Sequence, residues 1–178
     1  MEFKKYSKLA LFGLLTCAFL NANVNASDGS INFTGTVLDA ACTVDVGASS
    51  ALAVDLGSVQ KSAFTAVGST ASATKFTLKV SKCPSTITKA SVKFEGISYD
   101  GDESVLALTT GTGVATGIGI QLLDSASTVV PLETPSSSYT LATDVSNELD
   151  FYARYIQKAA TVAAGKADAA VNFTIVYP

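Results

Sequence analysis

Apolar and polar residues alternate with period two along most of this chain, the signature of half-buried strands. Ile31, Phe33, Gly35 and Val37 fall on one face. Phe76, Leu78 and Val80 do so again, with Lys75, Thr77 and Lys79 opposite. Val92 and Phe94 alternate with Lys93 and Glu95, and Ile118, Ile120 and Leu122 follow. Then come Leu149, Phe151, Ala153 and Tyr155, and finally Ala169, Val171, Phe173, Ile175 and Tyr177. Turn-formers separate these runs: Asp100-Gly101-Asp102, Gly111-Thr112-Gly113 and Pro135 to Ser138. The pattern predicts an all-β, antiparallel sandwich in one domain. One helical turn is expected around Ser58 to Thr65. Tryptophan is absent, which excludes the antibody-type core built on a buried Trp.

The N-terminal segment breaks this pattern. Lys4, Lys5 and Lys8 precede an apolar run from Leu9 to Leu20, and Val24-Asn25-Ala26 supplies small residues before a cut. That order predicts a secretory signal peptide over residues 1–26, cleaved before Ser27. The run is shorter than the roughly 20 residues needed to span a bilayer. Leu14-Leu15-Thr16-Cys17 does not read as a lipid-attachment signal: Thr16 stands where a Gly, Ala or Ser is wanted, and the apolar run continues beyond Cys17.

Export changes how the remaining chemistry reads. Cys42 and Cys83 are left as a pair in an oxidising compartment, so a disulfide is expected. In the chain-entropy model such a loop contributes about 4 kcal/mol. Loss of Glu2, Lys4, Lys5 and Lys8 moves the net charge from −3 to about −5, and Arg154 is the sole arginine. A chain without a basic face is a poor nucleic-acid binder. There is no histidine, which removes the commonest general base and every Ser–His or Cys–His arrangement. Asp100, Asp102 and Glu103 read as a solvated loop between strands, without the Gly and distal Glu of an EF-hand. Gly117 and Gly119 sit within an alternating stretch, where they let a backbone or bulky side chain approach. Neither a cofactor, a metal nor a catalytic group is expected.

The two ends of the mature chain carry more information. The last alternating run places Val171, Phe173, Ile175 and Tyr177 on one face. Ser27 to Val37 lies outside the disulfide loop, and could be the first strand of the sandwich or a free arm. Several segments together resemble the major pilins of type 1 chaperone–usher fimbriae. They are Ile31-Asn32-Phe33-Thr34-Gly35-Thr36-Val37, Asp39-Ala40-Ala41-Cys42, Val54-Asp55-Leu56-Gly57, Cys83 and Phe151-Tyr152-Ala153-Arg154-Tyr155. Gly165, fourteenth from the end, and the penultimate Tyr177 complete the likeness. Pro178 departs from it, because a polar residue is more usual there and proline has no N–H to donate.

The resemblance implies an incomplete immunoglobulin-like sandwich that lacks its last strand, completed by a donor strand in trans. It implies residues 27–38 as the donor arm, with Ile31, Phe33, Gly35 and Val37 entering a neighbour, and residues 39–178 as the pilin domain. Gly165, Val171, Phe173, Ile175 and Tyr177 would form the acceptor and chaperone-binding strand. Partners would be other copies and other pilins of the same fimbria, a periplasmic chaperone and an outer-membrane usher, with the product at the cell surface. Addition of a strand to an open sheet edge is a general mode of recognition, and exchange between chaperone and pilin is a known instance of it. Rival readings are a minor or adaptor pilin, a receptor-binding adhesin and a self-complete secreted sandwich. An adhesin of this group carries an extra lectin domain and lacks the arm, which argues against it.

Overall fold

The computed structural model describes residues 30–35, 37, 40–47 and 51–178. The expected signal peptide, Ser27 to Gly29, Thr36, Leu38 and Asp39 lie outside the described residues. The chain divides into two units, one ending at Val37 and one running from Leu38 to Pro178. In the first, the described residues form neither strand nor helix, so no strand corresponds to the alternation of Ile31 to Val37.

The second unit is an antiparallel sandwich. Its strands are β1 (Thr43–Asp45), β2 (Thr74–Ser81), β3 (Lys89–Glu95), β4 (Ser98–Tyr99) and β5 (Asp102–Leu106). They continue with β6 (Ile118–Asp124), β7 (Tyr139–Thr140), β8 (Asn147–Gln157) and β9 (Asn172–Val176). One sheet has the order β1-β2-β8-β6-β5-β4 and the other β7-β3-β9. The expected helical turn is a single 3₁₀ turn at Lys61–Ala63.

The period of two explains the layering. Leu78 and Val80 of β2, Leu149, Phe151, Ala153 and Tyr155 of β8, and Val92 and Phe94 of β3 are all buried. Phe76 lies directly opposite Phe151 in the β2–β8 register, with ring centroids 5.8 Å apart. Phe94 crosses from the other sheet and meets Phe151 edge-on at 5.1 Å. These three rings join the layers, and edge-on packing suits the ring quadrupoles. Tyr139 adds a contact to Phe151, and its hydroxyl donates to the Asp150 carbonyl at 2.6 Å.

The outer face of the larger sheet is held by cross-strand polar pairs. Lys75 Nζ lies 2.8 Å from Asp150, and the Thr77 hydroxyl donates to Asp150 at 2.7 Å. Those two donors hold the Asp150 carboxyl below the usual carboxylate range. Arg154 donates twice to Gln121, directly opposite in the β6–β8 register, at 2.7 and 3.1 Å. This satisfies a buried amide oxygen that would otherwise destabilise the sheet. Cys42 and Cys83 form the expected disulfide, which ties the segment entering β1 to the one leaving β2.

Three expectations about turns need correction. Asp102 and Glu103 are not loop residues but open β5; only Asp100 and Gly101 turn, both at positive φ. The Asp102 carboxylate is anchored there by Lys158 at 2.6 Å and by the Ser104 hydroxyl and N–H at 2.6 and 2.9 Å. Pro135 to Ser138 run extended along β3 instead of turning. Pro135 bridges Lys93, and the Ser136 N–H donates to Val92 at 2.8 Å. Proline is tolerated at such an edge because no N–H is needed from it. Gly117 precedes β6 rather than lying in it, at φ +79, and a Cβ there would collide with the Thr161 carbonyl oxygen. The close approach expected at both glycines is present: a Cβ on Gly119 would collide with the Val105 side chain.

Phe151→Ala is expected to destabilise the fold by about 3–5 kcal/mol, the usual cost of emptying a fully buried aromatic site. Denaturant unfolding of the two proteins measures it. A second expectation concerns pH. Lys158, then Ser104, hold the Asp102 carboxyl down at about 2. A group depressed on folding stabilises the fold above its ordinary pKa, near 3.8 here, and that contribution is lost as pH falls through about 2. Partial exposure of both side chains limits it to about 1 kcal/mol or less. The stability gap between the native chain and Asp102→Asn should therefore be present at pH 6 and close between about pH 4 and pH 2, as read by urea unfolding across that range.

Candidate functional site

β9 is the element around which a site forms. It pairs with β3 in the register Glu95↔Asn172 through Ser91↔Val176, and among the described residues β3 is its only ladder partner. The strand is shorter than its alternation suggests: Ala169 and Val171 precede it. The alternation nevertheless continues, so Val171, Phe173, Ile175 and Tyr177 all point to the same side, and each is half-buried.

That side opens on an apolar groove of about 820 Å³. Its floor is the core itself, with Leu78, Phe94, Ile120 and Leu122 reaching into it. One wall is β9, and the other carries Val44 of β1 and the segment 51–56, including Leu52 and Val54. Leu52 and Val54 are 43% and 36% exposed, adding apolar surface to the groove's rim. Beyond Ala169 a second cavity of about 480 Å³ shares Val54, Leu56 and Ile120 with the groove and so continues it. There the Tyr155 hydroxyl donates to the Ala167 carbonyl at 3.0 Å. Burial pushes the Tyr155 and Tyr177 hydroxyls above their ordinary pKa; for Tyr177 the backbone of Cys42 opposes the shift.

The residues singled out from the sequence distribute as follows. Val171, Phe173, Ile175 and Tyr177 line the groove together, and Cys42 lines it too. Gly165 stands apart, in the second cavity, against the 113–115 backbone. A Cβ at Gly165 would lie 2.5 Å from both the Ala115 nitrogen and the Gly113 carbonyl oxygen. Those same groups are hydrogen-bonded to Lys166 at 2.8 Å. Ile31, Phe33 and Val37 are 79%, 92% and 97% exposed, and a Cβ on Gly35 would meet nothing within 4 Å. The wall formed by segment 51–56 was not expected as part of a site. Its signal was the alternation of Leu52, Val54 and Leu56, visible but unaccompanied by any strand-forming context.

Chemically the groove offers apolar surface and one open strand edge. Among the described residues no group of three or more acidic or cysteine side chains is placed to hold a metal. No helix among them is long and apolar enough to cross a membrane.

A paired substitution separates the two glycines. Gly165→Ala should destabilise the protein by about 1–3 kcal/mol, because the contact is with backbone that cannot rotate away. Gly35→Ala should leave the protein's stability unchanged. Thermal unfolding of each variant reads both outcomes.

Comparison with known proteins matches this architecture. A family model described as fimbrial protein fits residues 31–178. The chain is 36% identical to the probable major fimbrial subunit LpfA of Escherichia coli O157:H7, over 99% of each protein. It is 36% identical to the type-1 fimbrial protein A chain of Escherichia coli K12, covering 90% of this chain and 91% of that one. Among solved structures it is similar to an antigen and type I fimbria protein of Burkholderia pseudomallei. There the TM-score is 0.59 with 35% identity, over 84% of this chain and 97% of that one. The P pilus rod subunit PapA gives 0.61 at 22% identity, over 78% and 100%, a likeness of fold.

Proposed function

The chain belongs to the fimbrial protein family, whose members are structural subunits of cell-surface fimbriae, and on that premise we propose that it polymerises head to tail by strand donation. Residues 27–38 of one copy enter the groove beside β9 of the next, with Ile31, Phe33 and Val37 covering its floor and Gly35 between them on the same face. A periplasmic chaperone fills the groove before assembly, and an outer-membrane usher is where subunits join. The role is structural and involves no reaction.

One observation carries this reading. The same chain has an apolar groove beside an edge of β9 and a short segment whose apolar residues are almost wholly exposed. An open edge leaves backbone donors and acceptors without partners and invites another strand. Burying each of Ile31, Phe33 and Val37 contributes about 1.5–3 kcal/mol, and new ladder hydrogen bonds add to it. Donor and acceptor surfaces differ, so the contact is heterologous and propagates as an open filament. The relatives named major subunits favour the shaft over an adaptor position.

The test moves the strand within one molecule. Residues 27–38 are deleted from their native place and appended after Pro178 through a short flexible linker. High effective concentration then favours insertion into the chain's own groove. The expected product is a monomer that melts well above the arm-deleted chain without the added strand. Equal melting temperatures of two stable monomers would show a self-complete sandwich and remove the proposal.

A further inference from the structure

Two segments of this chain share Asn-Phe-Thr behind a β-branched apolar residue. The arm reads Ile31-Asn32-Phe33-Thr34 and the acceptor strand reads Val171-Asn172-Phe173-Thr174. In β9 the alternation turns Phe173 into the groove, while Asn172, at the groove's rim, and Thr174 are exposed. Neither of those side chains makes a hydrogen bond or ion pair among the described residues. Their neighbours on β3, Glu95 and Lys93, are already engaged: Lys93 is bonded to Glu95 and lies 3.7 Å from Glu133. The polar row of β9 is therefore open toward the strand that would come next to it.

Resting on the strand-donation reading, we infer that Asn32 and Thr34 of one copy pair with Asn172 and Thr174 of the next, forming an outer polar ladder that sets the register of insertion. With Phe33 turned inward, the period of two puts Asn32 and Thr34 outward, on the same face as Asn172 and Thr174. Aligned on Phe33 and Phe173, either strand direction sets an amide or hydroxyl against an amide or hydroxyl. Asn32 meets Asn172 or Thr174, and Thr34 meets the other. Both groups donate and accept, so every such pairing can form a hydrogen bond. Threonine pairs and asparagine ladders are recurrent stabilisers across neighbouring strands. The ladder answers a need that apolar burial leaves open. A slip of one residue is excluded because it would turn Phe33 outward, but a slip of two keeps the apolar face inside. The outer row distinguishes those two alignments.

Cysteine substitution tests this in fibres of the full chain. Four double variants combine Asn32→Cys or Thr34→Cys with Asn172→Cys or Thr174→Cys. Non-reducing gels should show a ladder of cross-linked copies for the pairs that lie opposite, and little for the others. Fibres that form with no cross-link in any of the four overturn the inference while leaving strand donation intact. If arm-deleted chains still polymerise, strand donation itself has failed. A charge pair covers the case in which the cysteines disturb the native disulfide. Fibres of Thr34→Lys with Thr174→Lys should come apart at lower denaturant concentration than either single variant. Thr34→Lys with Thr174→Glu should recover resistance. The same charge pairs with Asn172 in place of Thr174 cover the antiparallel alignment, and equal resistance of the Lys–Lys and Lys–Glu fibres at both positions would overturn the ladder.

Discussion

Among the described residues, β9 is held to the sandwich by one hydrogen-bonded neighbour. Its ladder to β3 satisfies one edge of its backbone, and its apolar side chains reach a core that they cover only in part. Backbone groups and apolar surface both favour leaving water, so this arrangement places two demands on the same strip of protein. The layers behind that strip are closely packed. Leu78, Phe94 and Leu122 are almost wholly buried although they also form the groove's floor. They remain so because the aromatic cluster of Phe76, Phe94 and Phe151 fixes the two sheets from within.

The disulfide acts at the far wall. β1 has three residues and one partner, β2, so its own ladder is short. A covalent tie from Cys42 to Cys83 adds to those three residues of pairing at the groove's edge. Gly165 acts at the other end. It lets the segment that leads into β9 press against the backbone of residues 113–115, which sets where the second cavity begins. The groove thus has a floor fixed by packing, one wall fixed by a covalent bond and an end fixed by backbone contact. The strand exchange proposed for this subunit requires such a preformed site, because ordering it at each addition would oppose assembly.

Much of this was legible from residue patterns. Period-two alternation located β2, β3, β6 and β8 and assigned the inward faces of β2, β3 and β8, because a strand buried on one face has no other way to separate oil from water. β6 is buried along both faces, which alternation did not reveal. An export-type N-terminus and an even cysteine pair were enough to expect the disulfide. The motifs spread along the chain were enough for the family. Local pattern was a weaker guide wherever two chemistries compete for the same residues. Asp102 and Glu103 look like loop residues by composition, and Pro135 to Ser138 look like a turn. Contacts distant in sequence decided both, Lys158 for Asp102 and Val92 for Ser136.

Residue order alone establishes an all-β chain with an alternating apolar segment near each end of its sandwich portion and one cross-link between Cys42 and Cys83. It can do so because alternation and cysteine pairing are written in neighbouring or countable residues. That β9 has β3 on one side and a groove on the other is settled in three dimensions. The same is true of the segment 51–56 becoming a wall of that groove and of Gly165 standing apart from it. Those facts depend on which strands lie next to each other in space. Hydrogen-bond partners are chosen by the closing of the two sheets around Phe76, Phe94 and Phe151, a choice that no local run of residues records.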